Sequence, residues 1–465
     1  MSHLLISAAH KSSGKTTVCI GICAAFRQQN LIVQPFKKGP DYIDPMWLTQ
    51  AAGNPCYNLD FYTQSHNEIC TNFYQKLRLA DIGIIEGNKG LYDGLALDGS
   101  NSNAALSVLL KTPVILVIDT SGMTRGIAPL LLGYQNFDTK VNIAGIILNK
   151  VNGARHEKKL RQVIQHYTNL PVVGAIQRNN ELEILERHLG LIPSNEATES
   201  NSHIASICSI INQSIDLDLL RHIATTATSF DLSIPSTNES ITNLIIHPIR
   251  IGIATGAAFG FYYPADLDAM QRYGAELIPF DPLHERELPS VDGIFIGGGF
   301  PESFMQQLEA NIAMRNNLFA YIEAGRPVYA ECGGLMYLSR SITWKGQTCK
   351  MVGIVPANTV MHQRPQGRGY IHFKSTAEHN WQLNVGKEIF AHEFHYSRLE
   401  QLSSGQKFAF EVLRGDGIDG KYDGIVYKNL LAGYAHLRDV AGYNWTRYFL
   451  DHVRNIHRNN QCNNQ

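Results

Sequence analysis

Short apolar runs punctuate the first half of the chain at residues 4–7, 82–85, 114–118, 143–148 and 172–174. Between them lie longer, more polar stretches, such as 16–29 and 155–167, whose apolar positions recur at helical spacing. Strands that are apolar at consecutive positions are buried on both faces. The alternation therefore predicts an α/β fold, a parallel sheet covered by helices on either side. The pattern breaks between about 224 and 243, where Thr, Ser, Pro and Asn dominate and a linker is expected. Beyond it, Arg250-Ile-Gly-Ile-Ala-Thr opens a second α/β unit, with strands at 293–296 and 328–330. Closely spaced strand-like runs at 389–394, 408–412, 425–427 and 431–435 predict antiparallel additions to its sheet. The polar end, 459–465, is expected to fray. These breaks predict domains at 1–223 and 248–455, a linker at 224–247 and a tail at 456–465.

Composition narrows this picture. A chain of 465 residues exceeds one ordinary core, so two or three domains are expected. Its hydrophobic content of 44% is that of a globular protein. A formal net charge of −1 provides no field toward nucleic acid or membrane surfaces, and no basic run with interleaved aromatics occurs. No apolar stretch reaches the length of about 18 residues that a membrane span requires. A signal peptide at the N-terminus would be cut through the first loop, so a cytoplasmic location is expected. The eight cysteines form no C-x-x-C pair, and Cys19 and Cys23 read as small buried apolar residues.

Two loops carry candidate chemistry. The first, Ala9-His10-Lys11-Ser12-Ser13-Gly14-Lys15-Thr16-Thr17, follows an apolar strand and precedes a helix. Unpaired N–H groups and the positive end of a helix dipole suit phosphate oxygens there. Ser12, Ser13, Gly14, Lys15, Thr16 and Thr17 are thus candidate ATP ligands, Lys15 on the outer phosphates and Thr16 on Mg²⁺. Ala9 stands where the full motif has glycine. Glu86, at the end of its strand, and Asp41, in Phe-Lys-Lys-Gly-Pro-Asp-Tyr-Ile-Asp-Pro, are the further oxygen ligands Mg²⁺ requires.

The second loop is Tyr329-Ala-Glu-Cys-Gly-Gly-Leu335, which places Cys332 at a strand-to-helix turn. A helix N-terminus lowers a thiol pKa, which suits a nucleophile. The glycines at 297–299 follow another strand, and N–H groups of Gly298, Gly299 and Gly333 are candidates for an oxyanion hole. His436, at the end of a late strand, is the candidate base, with His392 and His395 as competitors among 18 histidines.

These motifs, in this order over nearly the whole chain, resemble the cobyrinate a,c-diamide synthase family. The first half is similar to the dethiobiotin-synthetase-like P-loop fold through S-S-G-K-T-T, F-K-K-G-P-D-Y-I-D-P, E-G-x-x-G-L-Y-D-G and E-R-H-L-G-L at 186–191. The second half is similar to class I glutamine amidotransferases through G-G-G-F-P-E, E-C-G-G-L-M-Y-L and E-F-H-Y-S. The resemblance implies that ATP converts a corrinoid acetate to an acyl phosphate. L-glutamine is hydrolysed at Cys332, ammonia passes between domains, and two side chains are amidated in turn. It implies Mg²⁺ held by Thr16, Asp41 and Glu86, and a substrate and acyl-phosphate loop of Tyr42, Asp44, Lys89, Tyr92 and Asp93. It also implies an adenine contact from Asn149 and a homodimer.

The chain departs from the pattern in two further places. Most class I amidotransferases carry His-x-Glu, the acid orienting the histidine, whereas Arg438 stands here. Asn88 and Lys89 replace two apolar residues in the E-G-x-x-G loop. The second departure keeps open a related substrate, a sirohydrochlorin or sirohaem-type tetrapyrrole. Two other classes remain open at this stage: a P-loop regulatory binding protein with an inert second domain, and a synthetase fed by free ammonia.

Overall fold

The computed structural model describes residues 1–179, 182, 186–187, 190–196, 199–228, 248–381 and 383–462. The chain divides into two compact units, Met1–Glu239 and Ser240–Gln465. The division falls within the stretch expected to be a linker, of which 229–247 lie outside the described residues. The helix Leu217–Thr225 runs two residues into that stretch.

In the first unit, seven strands form one sheet: β1 (Ser2–Ala8), β2 (Val33–Lys38), β3 (Tyr57–Leu59), β4 (Ile82–Glu86), β5 (Val114–Asp119), β6 (Ile143–Val151) and β7 (Val172–Gln177). Their order is β3-β2-β4-β1-β5-β6-β7, and all neighbours are parallel. The apolar runs of β1, β4 and β5 are buried almost throughout, as strands covered on both faces must be. The chain's direction across the sheet reverses at β1, so a crevice opens at the C-terminal ends of β1, β4 and β5. Helix α1 (Lys15–Gln28) leaves that edge and packs on the helix Ser200–Ser214. Gly21 permits the approach, since a Cβ there would overlap the Ile211 side chain. Helix α2 (Ile43–Ala52) follows β2. The two-residue strands β8 (Glu186–Arg187) and β9 (Gly190–Leu191) pair antiparallel around the E-R-H-L-G-L motif, whose His188 and Leu189 lie outside the described residues.

The second unit starts with β10 (Ile249–Ala254), β11 (Ala275–Phe280), β12 (Gly293–Ile296) and β13 (Val328–Glu331). Then come β14 (Ser341–Trp344), β15 (Gln347–Lys350), β16 (Asn358–Met361), β17 (Gly367–Ser375), β18 (Glu388–His395), β19 (Ser397–Glu400), β20 (Lys407–Arg414), β21 (Tyr422–Tyr427) and β22 (Leu430–Gly433). A nine-stranded sheet has the order β11-β10-β12-β13-β22-β21-β20-β17-β18, parallel as far as β22 and antiparallel beyond it. The runs expected to be antiparallel become β18, β20 and β21. The fourth, at 431–435, does not simply extend them, because β22 lies parallel to β13 and joins the two halves of the sheet.

A separate sheet, β15-β14-β16-β19, was not anticipated, each of its four-residue strands burying only one residue. The last helix, Trp445–Cys462, takes in most of the expected tail. Trp445, Phe449, Leu450 and Val453 repeat on one face and bury against Phe295 and Tyr329, which holds the helix in register.

Candidate active sites

The phosphate loop ends in Gly14, whose φ of 85° is a left-handed conformation and whose Cβ, if present, would overlap the Asn149 amide. Ser12 is also left-handed, at φ 63°. Ser13 donates to the His10 carbonyl at 2.8 Å, and Thr17 to the Leu182 carbonyl at 3.4 Å. Lys15, in the first turn of α1, is buried. Asn149 Nδ2 donates to the Ser13 carbonyl at 2.9 Å, and its Oδ1 accepts the Lys150 N–H. Its amide thus braces the phosphate loop in this conformation.

Thr16 joins the loop to the ends of β4 and α2. Its hydroxyl lies 2.5 Å from Glu86 Oε1 and 3.3 Å from Asp44 Oδ2. Between these carboxylates sits the Lys37 ammonium, 2.5 Å from Asp44, 3.1 Å from Glu86 and 3.7 Å from Asp41. Burial alone would favour neutral Lys37, but Asp44, Glu86 and Asp41 outweigh it and hold its pKa well above the ordinary value. Burial raises Glu86, against the pull of Lys37. Asp41 Oδ1 also accepts the N–H groups of Ile43 and Asp44 and so caps the start of α2. Tyr42 is buried beside it.

The remaining loop residues fall into two groups. Tyr92 donates to the Tyr134 carbonyl at 2.7 Å, and Asp93 accepts the Gly90 N–H at 3.0 Å, so both hold the loop itself. Lys89 is exposed, with φ 41°. Asn88 accepts from buried Lys38 Nζ at 3.2 Å. Burial, with Lys89 repulsion adding to it, lowers Lys38 to about 8.

In the second unit, Cys332 occupies a strained elbow at φ 47°, ψ −100°, directly before the helix Gly333–Leu338. Its N–H donates to the Gly433 carbonyl at 2.8 Å, tying the turn to the end of β22. A Cβ on Gly333 would come within 2.9 Å of Gly299 N, and one on Gly298 within 2.7 Å of His436 Cε1. The three candidate oxyanion glycines, the cysteine elbow and His436 therefore form one cluster. The expected low thiol pKa is not found. Burial, reinforced by the negative charges of Glu302 and Glu331, pushes Cys332 up and outweighs the Gly333 N–H.

His436 is 3% exposed, and burial lowers it to about 3, so its imidazole is neutral. Its backbone forms an antiparallel bridge with His392, donating to the His392 carbonyl at 2.7 Å. His395 stacks on Tyr434 with ring centroids 3.8 Å apart. The two competing histidines thus support the chain around His436. Asp423 accepts the N–H groups of Tyr434 and Ala435 and fixes the turn that leads into it. Arg438, in the place of the usual acid, lies over the Tyr263 ring, 4.9 Å from its centroid. Instead, Glu331 Oε2 faces His436 Nδ1 at 3.3 Å.

Residues 5–192 match the CobQ/CobB/MinD/ParA nucleotide binding domain, and residues 250–439 the CobB/CobQ-like glutamine amidotransferase domain. A Magnetococcus marinus protein named cobyrinate a,c-diamide synthase is 44% identical over 449 residues, covering 96% of each chain. The chain belongs to the cobyrinate a,c-diamide synthase family. Proteins of the same name from Methanosarcina acetivorans and Methanosarcina barkeri are 40% and 38% identical, over 94% and 97% of this chain and 92% and 96% of theirs. This synthase-family chain is an enzyme, a glutamine-hydrolysing ligase. No helix among its described residues is long and apolar enough to cross a membrane. In this synthase, Lys37, Glu331 and Asp423 pack against the candidate residues or the chain that carries them, and sequence reasoning passed over all three. For Glu331 a signal existed: it sits two residues from Tyr329 on β13, so alternation puts both on one face.

Proposed function

We propose that this synthase amidates the a and c acetate carboxylates of cobyrinate in cobalamin biosynthesis, using ATP and L-glutamine. One observation carries the reading. A nucleotide loop and a cysteine elbow with its histidine occur together in a chain 44% identical, over 96% of both lengths, to a protein named for that reaction. A substrate carboxylate oxygen attacks the γ-phosphorus of ATP, ADP leaves, and an acyl phosphate forms. In the second unit the Cys332 sulfur attacks the glutamine carboxamide carbon while His436 takes the thiol proton. N–H groups of Gly298, Gly299 and Gly333 stabilise the oxyanion. His436 returns the proton to the leaving ammonia, and water releases glutamate from the thioester. Ammonia then attacks the acyl phosphate, and phosphate and a proton leave.

Hard oxygen donors suit Mg²⁺, and Glu86 Oε2 is a buried oxygen with no hydrogen-bond partner, the kind of atom a cation satisfies. Thr16, Glu86 and Asp41, with Asp44 beside them, would hold the ion, which would offset charge on the ATP phosphates. Lys15 and the loop N–H groups hold the phosphates. The loop of Lys89, Tyr92 and Asp93, with Tyr42 and Asp44, would lie near the corrinoid or the acyl phosphate, Lys89 supplying the charge that meets a carboxylate while Tyr92 and Asp93 hold the loop in shape. The same reading puts the enzyme in the cytoplasm as a homodimer, which light scattering on the purified chain would check.

Mass spectrometry tests the proposal after incubation with ATP, Mg²⁺ and glutamine plus either cobyrinate or sirohaem. Each acid converted to amide lowers the mass by the difference between OH and NH₂. Two amidations of cobyrinate are expected, and Cys332→Ser should abolish them with glutamine but not with ammonium. Amidation of sirohaem alone would sink the cobalamin assignment, and amidation of neither would sink the ligase mechanism.

A further inference from the structure

His436 needs something to fix which ring nitrogen carries its proton, and the residue that usually does so is Arg438 here, turned onto Tyr263. We propose that Glu331, immediately before the nucleophile, is the positioning residue that holds the His436 imidazole ready to take the Cys332 proton. The proposal rests on the glutaminase reading of Cys332 and His436.

The geometry is specific. The Glu331 side chain is 3% exposed. Its Oε1 accepts two hydrogen bonds, from the Tyr329 hydroxyl at 2.5 Å and the Leu437 N–H at 2.8 Å. These donors approach from β13 itself and from the chain just after His436, so Oε1 is anchored from two sides. Oε2 is left facing His436 Nδ1 at 3.3 Å. The parallel register of β13 with β22, Glu331 opposite Gly433, sets this distance, because His436 follows Gly433 by three residues. Burial raises Glu331 to about 8 against the Tyr329 and Leu437 donors; once ionised, it accepts from Nδ1–H and leaves Nε2 bare to receive the thiol proton. It then provides a buried counter-charge for the imidazolium. The nucleophile and the residue orienting its base are thus neighbours in sequence. In the His-x-Glu arrangement the acid follows the histidine instead.

The competing account is that Glu331 merely pins the Leu437 backbone to β13. Glu331→Gln separates the two. The amide oxygen keeps both bonds at Oε1, but its NH₂ faces Nδ1 and donates to it, forcing the proton onto Nε2. The glutaminase kcat should fall on the order of 10²- to 10⁴-fold, as when the orienting acid of a triad becomes an amide. KM for glutamine and ammonium-driven amidation should stay unchanged. A purely structural pin would leave kcat at the wild-type level, and that result would overturn the proposal. Should the glutamine variant not fold, Tyr329→Phe serves, since it releases one lock on the carboxylate and keeps its charge. Its kcat should drop with KM unchanged, and no drop overturns the proposal equally. If Cys332→Ser still used glutamine, the glutaminase reading itself would fall, whatever Glu331 did.

Discussion

Lys37 is a lysine inside a sheet, its side chain 4% exposed and its ammonium within 4 Å of three carboxylates. A charge in that position persists because Glu86 is buried with it and the partly exposed Asp44 and Asp41 approach it from the rim. Removing the cation would leave Asp44, Glu86 and Asp41 facing one another. Lys37→Met should therefore cost about 3–5 kcal/mol in Mg²⁺-free buffer, the range for breaking a buried ion pair from one side. Urea unfolding would measure it, and a loss below about 1 kcal/mol would mean water already screens the cluster. Sequence reasoning found Thr16, Asp41 and Glu86 because each belongs to a motif or a strand end. It missed Lys37 because Phe-Lys-Lys-Gly looks like a solvated turn. Nothing local says that all of Val-Gln-Pro-Phe-Lys-Lys is buried as β2. The carboxylates that make this tolerable come from α2 and β4, elements apart in sequence. Glu331 was hidden in a related way, its partner His436 lying about a hundred residues on.

The cysteine elbow shows what a single element requires. Gly334 sits in the first turn of the helix Gly333–Leu338, where a Cβ would overlap the carbonyl oxygen of Ile296, the last residue of β12. That neighbour is backbone in a central strand and cannot swing aside. Gly334→Ala should push the helix off β12, costing about 1–3 kcal/mol as overpacking does. It should also lower glutaminase activity while sparing ammonium-driven amidation. Thermal melts and paired glutamine and ammonium assays would check this, and wild-type glutaminase would show that the elbow adapts. Legibility at this scale followed local signal strength. The strand–turn–helix units at Gly14 and Cys332 were readable because glycine, small residues and an apolar strand coincide within a few positions. The strands β14, β15, β16 and β19 were not, since each is four residues long and buries only one residue, with little periodicity to detect. The low thiol pKa inferred from the helix N-terminus failed because burial, which local sequence does not report, outweighed it.

At the scale of the molecule, the order of nucleotide unit, linker and amidotransferase unit was legible because each unit carries its own strand alternation and signature loop. The second unit also concentrates buried imidazoles. Burial lowers His379 and His452 to about 4 and His392 and His436 to about 3. Each folded pKa lies below the unfolded value of about 6.5. Their stabilising contribution is thus fully present above pH 6.5 and is lost as pH falls toward 4, because the unfolded chain takes up protons first. Buried acids of the same unit work in the opposite sense, Asp266 and Asp439 among them. Burial raises Glu331 to about 8 and Asp423 to about 6, so the folded state binds their protons first as pH falls. The net slope therefore mixes signs, and a differential measurement is needed to isolate the histidines. His379 packs against Trp381 and Phe410, and His379 Nε2 and His452 Nε2 are buried without hydrogen-bond partners. Neither belongs to the proposed chemistry, so both can be replaced without touching it. Between pH 7 and pH 5 the wild type should lose about 2 kcal/mol per histidine from these two sites. The double variant His379→Gln, His452→Gln should lose that much less over the same interval, even if it starts less stable. Chemical unfolding of both proteins at the two pH values reads the difference directly. Parallel losses would mean that His379 and His452 are already protonated in the folded unit, and that buried water or a shifted side chain accommodates the charge.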